Sequence, residues 1–222
     1  MMVQADESIA HNSFPPTGYS MNTNQFRRFA FAGIVSLSLL GGCANAPSST
    51  SGWMALYDRG SNLNDWTLVG DANWRIQEDS IVADLLRSKT PGYLVSKKIY
   101  DNFEIRAEVW VDSHTNSGIF IRCQDPTKIG ADNCYEVNIW DTRPDPSYGT
   151  GAIVDIAKVS PMPRAGGQWN VMEITARGDL LVVRLNGQET VNVRHSGLAK
   201  GHIALQYGSG VVKFRQVLIK PI

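Results

Sequence analysis

The sequence predicts an all-β domain, a sandwich or a barrel, over residues 53–222. Turn signals recur about every eight to twelve residues between short runs of β-branched and aromatic residues, which is typical of both architectures. The clearest strand, residues 102–111, alternates polar and apolar side chains, as a sheet with one buried face requires. No stretch with helical periodicity competes. About 170 residues can bury one hydrophobic core, so we expect a single domain.

The charges of the chain are balanced. Lysine and arginine number 21, aspartate and glutamate also number 21, and 43% of the 222 residues are hydrophobic. A chain without net charge has no long-range field that would attract a polyanion. We therefore expect no nucleic-acid partner, and the sequence predicts no particular oligomeric state.

A signal region is predicted in residues 1–42. The basic pair Arg27-Arg28 precedes an apolar run over residues 29–40, which is the order found in secretory signals. The run holds about twelve residues, fewer than the roughly twenty that a membrane-spanning helix needs. A later methionine, Met21, lies shortly before the basic pair and is the expected true start of the protein.

The signal ends in Leu40-Gly41-Gly42-Cys43, which resembles the lipobox of bacterial lipoproteins and makes Cys43 the predicted lipidation site. The alternative is an ordinary secretory signal cleaved near Ala44 or Ala46, which would discard this cysteine. Residues 43–52, rich in Ser, Pro, Thr and Ala, are expected to form a flexible tether. We expect a lipid-anchored protein of the bacterial cell envelope, at the outer membrane and facing the periplasm.

Other short runs are predicted as strands. They are residues 53–57, 74–77, 80–84, 93–96, 168–176, 180–185, 189–194, 202–207 and 211–220. Asn186-Gly187 is the strongest hairpin signal, because both residues tolerate the positive φ of a type I′ turn. Residues 141–150 contain Pro144, Pro146 and Gly149, and are expected to form an exposed loop at the rim of the candidate site described next.

Two neighbouring strands carry the candidate site. They are predicted over residues 116–122 and 135–141. Alternate side chains of a strand share one face, so each strand has an aliphatic face that can pack on a core. The opposite face carries Asn116, Phe120, Arg122, Glu136, Asn138 and Trp140. A face of carboxylate, amide, guanidinium and aromatic groups indicates a binding surface.

Cys123 and Cys134 bracket the loop between these two strands and are predicted to form a disulfide bond. The compartment of an exported protein is oxidising, and acylation of Cys43 would leave an even pair of cysteines. The alternative is two separate buried thiols. The polar sequence of the loop makes that alternative less favourable.

Short motifs appear along the chain in a fixed order. They include Leu56-Tyr57-Asp58, Asn116-Ser117-Gly118-Ile119, Tyr135-Glu136-Val137, Leu185-Asn186-Gly187 and Ile203-Ala204-Leu205-Gln206. Together they resemble the 3-keto-disaccharide hydrolase domain family over residues 53–222. The resemblance implies a concanavalin A-like, laminarinase-like jelly-roll β-sandwich of two antiparallel sheets, acting on glycosides already oxidised at the sugar C3. One departure is Tyr207, where members of the family often carry a histidine.

A ketone at C3 acidifies the proton on C2, so a single base could start elimination of the aglycone from C1. Glu136 is the expected base, and Arg122 is expected to stabilise the developing enolate. The expected substrate-binding residues are Asn138, Trp140, Trp110, Phe120 and Asn116. The structural alternatives are a solvated strand face with an ion pair between Glu136 and Arg122, and cross-strand packing of the two indoles.

The predicted function is therefore hydrolysis or elimination of the glycosidic bond of 3-keto-glycosides at the cell envelope. The rival is a non-catalytic carbohydrate-binding lipoprotein module, which the departure at Tyr207 favours. No cofactor or metal site is predicted. Oxygen-bearing side chains at Asp58, Asn62, Asn64 and Asp65 leave Ca²⁺ open as an alternative, although they lack a regular ligand spacing.

Overall fold

The structure is a computed structural model, and it describes residues 52–222. The predictions for the signal region, for Met21 as the start and for Cys43 as the lipidation site lie outside the described residues. Within residues 52–222, no helix is long and apolar enough to cross a membrane.

Short strands account for most of the regular structure. They are β1 (Met54–Asp58), β2 (Trp66–Val69), β3 (Arg75–Gln77), β4 (Ser80–Ala83), β5 (Gly92–Ser96), β6 (Phe103–Val111), β7 (Asn116–Cys123), β8 (Tyr135–Ile139), β9 (Trp169–Arg177), β10 (Leu180–Leu185), β11 (Gln188–Arg194), β12 (His202–Ser209) and β13 (Val212–Pro221). A single 3₁₀ turn, Pro146–Tyr148, is the only helical element in this part of the chain. Strand β2 was not expected, because its four residues carry too short an alternation to stand out.

The strands form two antiparallel sheets. Sheet A has the order β11-β10-β9-β6-β13-β4-β3, with β1 also paired to β13, and sheet B has the order β2-β5-β12-β7-β8. The prediction of an all-β protein with two antiparallel sheets is confirmed. The predicted hairpin between β10 and β11 is also present, with φ of +52° at Asn186 and +81° at Gly187.

The hydrophobic core lies between the inner faces of the two sheets. Strand β6 supplies Phe103, Ile105, Ala107, Val109 and Val111, all at most 2% exposed, as its alternation predicts. Sheet B supplies Ile119, Ile121 and Leu205 to the same cluster. Fully burying such a side chain stabilises the fold by about 1.5–3 kcal/mol. The core therefore fixes which side of each strand is turned outward.

A second, smaller apolar cluster lies on the outer face of sheet B, the face turned away from sheet A. Its members are Tyr93, Val95, Phe120, Cys123, Cys134 and Ala204. The predicted disulfide between Cys123 and Cys134 is present. It closes the β7–β8 loop, and Ile129 of that loop packs against the cluster. The disulfide is thus part of the structure that supports this face.

Arg122 departs from its predicted face. Its φ is +55°, in the left-handed region, so the alternation of β7 breaks at this residue. The guanidinium is buried and donates hydrogen bonds to the backbone carbonyl oxygens of Asp101, Gly178 and Leu198, at 2.7–3.0 Å. Gly178 belongs to the β9–β10 turn of sheet A, so Arg122 extends toward sheet A. The prediction that Arg122 faces Glu136 is wrong, because the side chain joins three loops instead.

We expect Arg122→Lys to destabilise the fold. A lysine ammonium cannot reach three carbonyl oxygens in a fixed fork, and each buried group left unpaired costs about 1–3 kcal/mol. The expected loss is about 3 kcal/mol in the free energy of unfolding, measured by urea denaturation. Arg184→Lys is the matched control, because its ion pair with Glu189 is exposed and such pairs contribute about 0–1 kcal/mol. Equal losses in the two variants would contradict the structural role of Arg122.

Candidate functional site

Strand register brings the candidate site together on the outer face of sheet B. Pairing places Glu136 beside Phe120, and Phe120 beside Ala204. The adjacent row on the same face crosses four strands and contains Tyr93, Gln206, Gly118 and Asn138. The face therefore carries a carboxyl group, two side-chain amides and two aromatic rings within two adjacent rows.

Glu136 is half-buried beside the loops that follow β8. Burial raises the pKa of its carboxyl group to about 7, while the positive charge of Arg143 lowers this pKa and the negative charge of Asp155 raises it. Near neutral pH the carboxyl group therefore exchanges readily between its protonated and ionised forms. A residue of this kind is suited to take up or release a proton in a reaction.

Asn138 and Gln206 are buried amides with unused acceptors. Asn138 is fully buried, and its Nδ2 donates to the backbone carbonyl oxygen of Tyr148 at 2.7 Å. Its Oδ1 and the Oε1 of Gln206, which is 5% exposed, have no hydrogen-bond donor within residues 52–222. Buried polar atoms are almost always paired, so two unpaired acceptors in one row distinguish this surface from an ordinary packed face.

Two glycines lie beside side-chain amides on this face. Gly118 lies between Asn138 and Gln206 in the register, and a Cβ placed on it would lie 3.4 Å from Gln206 Oε1. At Gly208, one outward position further along β12, an added Cβ would lie 3.0 Å from Nδ2 of Asn116. A side chain at either position would crowd the amide beside it, Gln206 at Gly118 and Asn116 at Gly208.

Trp140 lies just beyond β8, at the rim of this face. The guanidinium carbon of Arg143 lies 5.5 Å from the centre of its ring, and its indole N–H donates to Thr142 Oγ1 at 3.1 Å. Arg143 belongs to the loop of residues 141–150 that the sequence predicts at the rim. The sequence analysis did not assign Arg143, Gln206 or Tyr93 to the site. Arg143 lies in a loop without periodicity, and the other two lie in strands distant in sequence from β7 and β8.

The rim loops are held by Asp141. Its carboxylate accepts a hydrogen bond from the hydroxyl of Thr150 at 2.6 Å and from the backbone N–H groups of Ala165 and Gly166 at 3.0 and 2.9 Å. Residues 152–154 also form hydrogen bonds with the backbone of β8, and the N–H of Val154 donates to the carbonyl oxygen of Glu136 at 3.0 Å. These contacts fix the position of the loop that carries Arg143.

Trp110 does not belong to this site. It lies on the outer face of sheet A, opposite Trp169 in the β6–β9 pairing, with the ammonium of Lys213 5.1 Å from its ring centre. The prediction that Trp110 binds the same ligand as Glu136 is wrong, because the two residues lie on opposite sides of the sandwich. By contrast, Phe120, Asn138, Trp140 and Asn116 lie on the same outer face of sheet B as Glu136, and their role in binding stays a prediction.

Tyr207 lies on the core side of β12, opposite Gln206. It is 3% exposed, contacts Trp74 edge to face at 6.4 Å, and donates its hydroxyl hydrogen to the carbonyl oxygen of Gly210 at 2.8 Å. The departure from the family pattern at this position therefore removes no group from the outer face of sheet B.

Within residues 52–222, no set of three or more His, Cys, Asp or Glu side chains is placed to hold a metal ion. The oxygen-bearing side chains near residue 60 make turn bonds, such as the one from Asn64 N to Asn62 Oδ1 at 2.9 Å. This is the usual role of asparagine in turns.

Several solved structures have a similar fold. A candidate glycosyl hydrolase from Parabacteroides distasonis superposes with a TM-score of 0.65 at 17% identity, covering 77% of this chain and 94% of that chain. The carbohydrate-binding module CBM66 from Bacillus subtilis gives 0.54 at 14% identity, covering 70% and 95%. The Bacillus licheniformis β-glucanase gives 0.53 at 13% identity, covering 78% and 100%. The predicted jelly-roll β-sandwich is confirmed.

Residues 52–220 match the family model described as the 3-keto-alpha-glucoside-1,2-lyase-like domain. The chain therefore belongs to this family, which confirms the resemblance found in the sequence. A comparison with curated proteins finds no match.

The raised pKa of Glu136 predicts a pH-dependent cost in stability. The folded state holds the proton up to about pH 7, whereas the unfolded chain releases it near the ordinary glutamate pKa of 4.5. The free energy of unfolding therefore falls as pH rises between these values. We expect Glu136→Gln to be more stable than the natural protein at pH 8, by up to about 3 kcal/mol, since one pKa unit corresponds to about 1.4 kcal/mol.

The measurement is urea denaturation at pH 5 and pH 8. Glu173→Gln, a half-buried glutamate of β9 on the outer face of sheet A, serves as the control and should change stability by less than about 0.5 kcal/mol. If Glu136→Gln stabilises the protein equally at the two pH values, the burial of an ionisable carboxyl group at this site is not the cause.

Proposed function

We propose that the protein cleaves the glycosidic bond of 3-keto-glycosides by elimination, with Glu136 as the base. The observation that carries this proposal is a half-buried carboxyl group with a pKa of about 7, placed among polar side chains on the outer face of sheet B. Membership of the 3-keto-alpha-glucoside-1,2-lyase-like family supports the same chemistry.

The reaction begins with the ionised carboxylate of Glu136. It takes the proton from C2, and the electron pair of that C–H bond moves into the bond between C2 and C3 to form an enolate. The enolate then returns its electrons to form a C1–C2 double bond as the bond from C1 to the aglycone oxygen breaks. The leaving oxygen takes up a proton, which gives a free aglycone and an unsaturated 3-keto sugar. Addition of water to that sugar would complete a net hydrolysis.

Arg143 takes the role that the sequence analysis gave to Arg122. Its positive charge acts on the Glu136 carboxyl group, and its guanidinium stacks on Trp140, which limits its freedom. A cation held in advance at the place where negative charge develops stabilises a transition state more than the ground state. We assign Arg143 to the enolate oxygen at C3, and Trp140 and Asn116 to the rim of the sugar site.

A single base suits this elimination better than direct hydrolysis. Glycosidases that retain the anomeric configuration use two carboxyl groups about 5–5.5 Å apart. The position two residues after Glu136 on the same face holds the amide of Asn138, which can neither give nor take a proton at neutral pH. A ketone at C3 removes the need for a second carboxyl group, because it makes the C2 proton acidic enough for one base.

The rival function is binding of a carbohydrate without chemistry. It would use the same outer face of sheet B and would not need an ionisable Glu136. The similarity to a carbohydrate-binding module concerns the fold alone, so it is compatible with either function. The half-buried carboxyl group is what favours the enzyme, since a binding surface gains nothing from a base with a pKa near 7.

We expect Glu136→Gln to lower turnover of a 3-keto-glucoside by roughly a hundredfold or more, with little change in substrate affinity. In the natural protein kcat/KM should rise with pH up to about 7 and then level off, because the base must be ionised. The assay follows aglycone release, with the same glucoside bearing an intact C3 hydroxyl as comparison substrate. Trp110→Phe, on the opposite side of the sandwich, is the control and should keep full turnover.

Two results would count against this mechanism. Equal release from the 3-keto-glucoside and the intact glucoside would eliminate the carbonyl-assisted route. Sugar binding without release, unchanged in Glu136→Gln, would favour the binding module.

We also propose that the protein is exported and anchored in the bacterial outer membrane through a lipid on Cys43, which lies outside the described residues. The lipobox-like sequence supports this location. The disulfide between Cys123 and Cys134 supports export independently, because such bonds persist in oxidising compartments.

If Cys43 carries the lipid anchor, Cys43→Ser should change both the mass of the protein and its membrane fractionation. This variant should lose the mass of the acyl chains and no longer fractionate with membranes, because serine at this position cannot be acylated through a thiol. Mass spectrometry of the membrane and soluble fractions measures both effects. A variant that stays in the membrane fraction at the mature mass of the natural protein would show that the anchor lies elsewhere.

A further inference from the structure

We propose that Gln206 and Asn138 form a pair of hydrogen-bond acceptors that bind two hydroxyl groups of the sugar and so orient its ring over Glu136. This inference rests on the proposed function, since it takes a glycoside as the ligand. It assigns a specificity-determining role to Gln206 of β12, which the sequence analysis places in a family motif but not in the site.

The first observation is the unpaired state of the two oxygens. Oδ1 of Asn138 and Oε1 of Gln206 are buried and have no hydrogen-bond donor within the described part of the chain. The amide of Asn138 is held in one orientation, because its Nδ2 donates to the carbonyl oxygen of Tyr148. A buried acceptor without a donor is destabilising. A ligand that supplies donors recovers this free energy on binding.

The second observation is the position of the pair. The two residues flank Gly118 in one row of the sheet, two strand spacings or about 10 Å apart at their backbones. Gln206 Oε1 reaches toward the glycine from one side, and Asn138 borders it from the other side. The same row adjoins the row of Glu136, so a sugar held by both amides lies next to the carboxyl group.

Hydrogen-bond chemistry then sets the orientation of the ligand. An amide oxygen only accepts hydrogen bonds, so it binds a hydroxyl group, which can donate, and does not bind a ketone, which can only accept. The C3 carbonyl of the sugar is therefore directed away from Gln206 and Asn138. Arg143 has only donors and lies on the Glu136 side of the site. The hydroxyl groups meet the amides while the ketone meets the guanidinium.

Both oxygens are buried in the free protein, so neighbouring side chains must move before a ligand reaches them. The rings of Tyr93 and Phe120 meet edge to face at 5.6 Å across β12, beside Gln206. Burial raises the pKa of Tyr93, and the neighbouring amide of Gln206 lowers it. Gln206 has the longer and more adaptable side chain, so it turns toward the ligand while Asn138 stays fixed.

The test measures binding separately from chemistry. In a Glu136→Gln background, which blocks turnover, calorimetry gives the affinity for the 3-keto form of methyl α-glucoside and for its 2-, 4- and 6-deoxy derivatives. We expect Gln206→Met to weaken binding of the parent sugar about tenfold, the equivalent of one hydrogen bond. The deoxy derivative that lacks the hydroxyl bound by Gln206 should bind the Glu136→Gln protein about tenfold more weakly than the parent sugar does. Adding Gln206→Met should not weaken its binding further. A second derivative should report the contact to Asn138 and still be sensitive to Gln206→Met.

The unfolding midpoint of each variant is measured alongside, so that a loss of affinity is compared only between folded proteins. If every deoxy derivative responds to Gln206→Met as the parent sugar does, or if no hydroxyl contributes to binding, the acceptor pair is refuted. The proposed reaction would still stand if the natural protein releases the aglycone. Conversely, the expected binding pattern without any release would support the pair and refute the elimination.

Discussion

The structure of the site depends on the register between β7 and β8. This register places Glu136 beside Phe120 and Asn138 beside Gly118 on the outer face of sheet B. A slip of one residue would turn the carboxyl group into the core and bring aliphatic side chains to the surface. The aliphatic residues of both strands and the disulfide that closes their loop hold the pairing in place.

This arrangement lowers the stability of the free protein at the place where the ligand is expected to bind. A half-buried carboxyl group with a raised pKa and two unpaired amide oxygens all reduce the stability of the free protein. Proteins commonly accept such costs at functional sites, because groups that are already desolvated interact more strongly with a ligand. By contrast, the buried Arg122 has its hydrogen bonds satisfied and serves the fold.

Alternation along single strands was sufficient to predict that Phe120, Glu136 and Asn138 share a face. It failed at Arg122, whose positive φ accompanies close packing against Gly201, where an added Cβ would clash with the Arg122 carbonyl group. It assigned Trp110 to the correct face of its strand, but sheet membership depends on long-range pairing with β9 and β13. Arg143 comes from a loop without periodicity, so only the folded chain shows its position.

The fate of the C2 hydrogen tests the central claim most directly. A 3-keto-glucoside carrying deuterium at C2 is incubated with the natural protein, and the sugar product is examined by mass spectrometry as the aglycone is released. The account predicts that the product loses its C2 deuterium in step with release, and faster than unreacted substrate exchanges it in buffer. A product that keeps its deuterium at C2 would show that the glycosidic bond breaks without proton abstraction by Glu136.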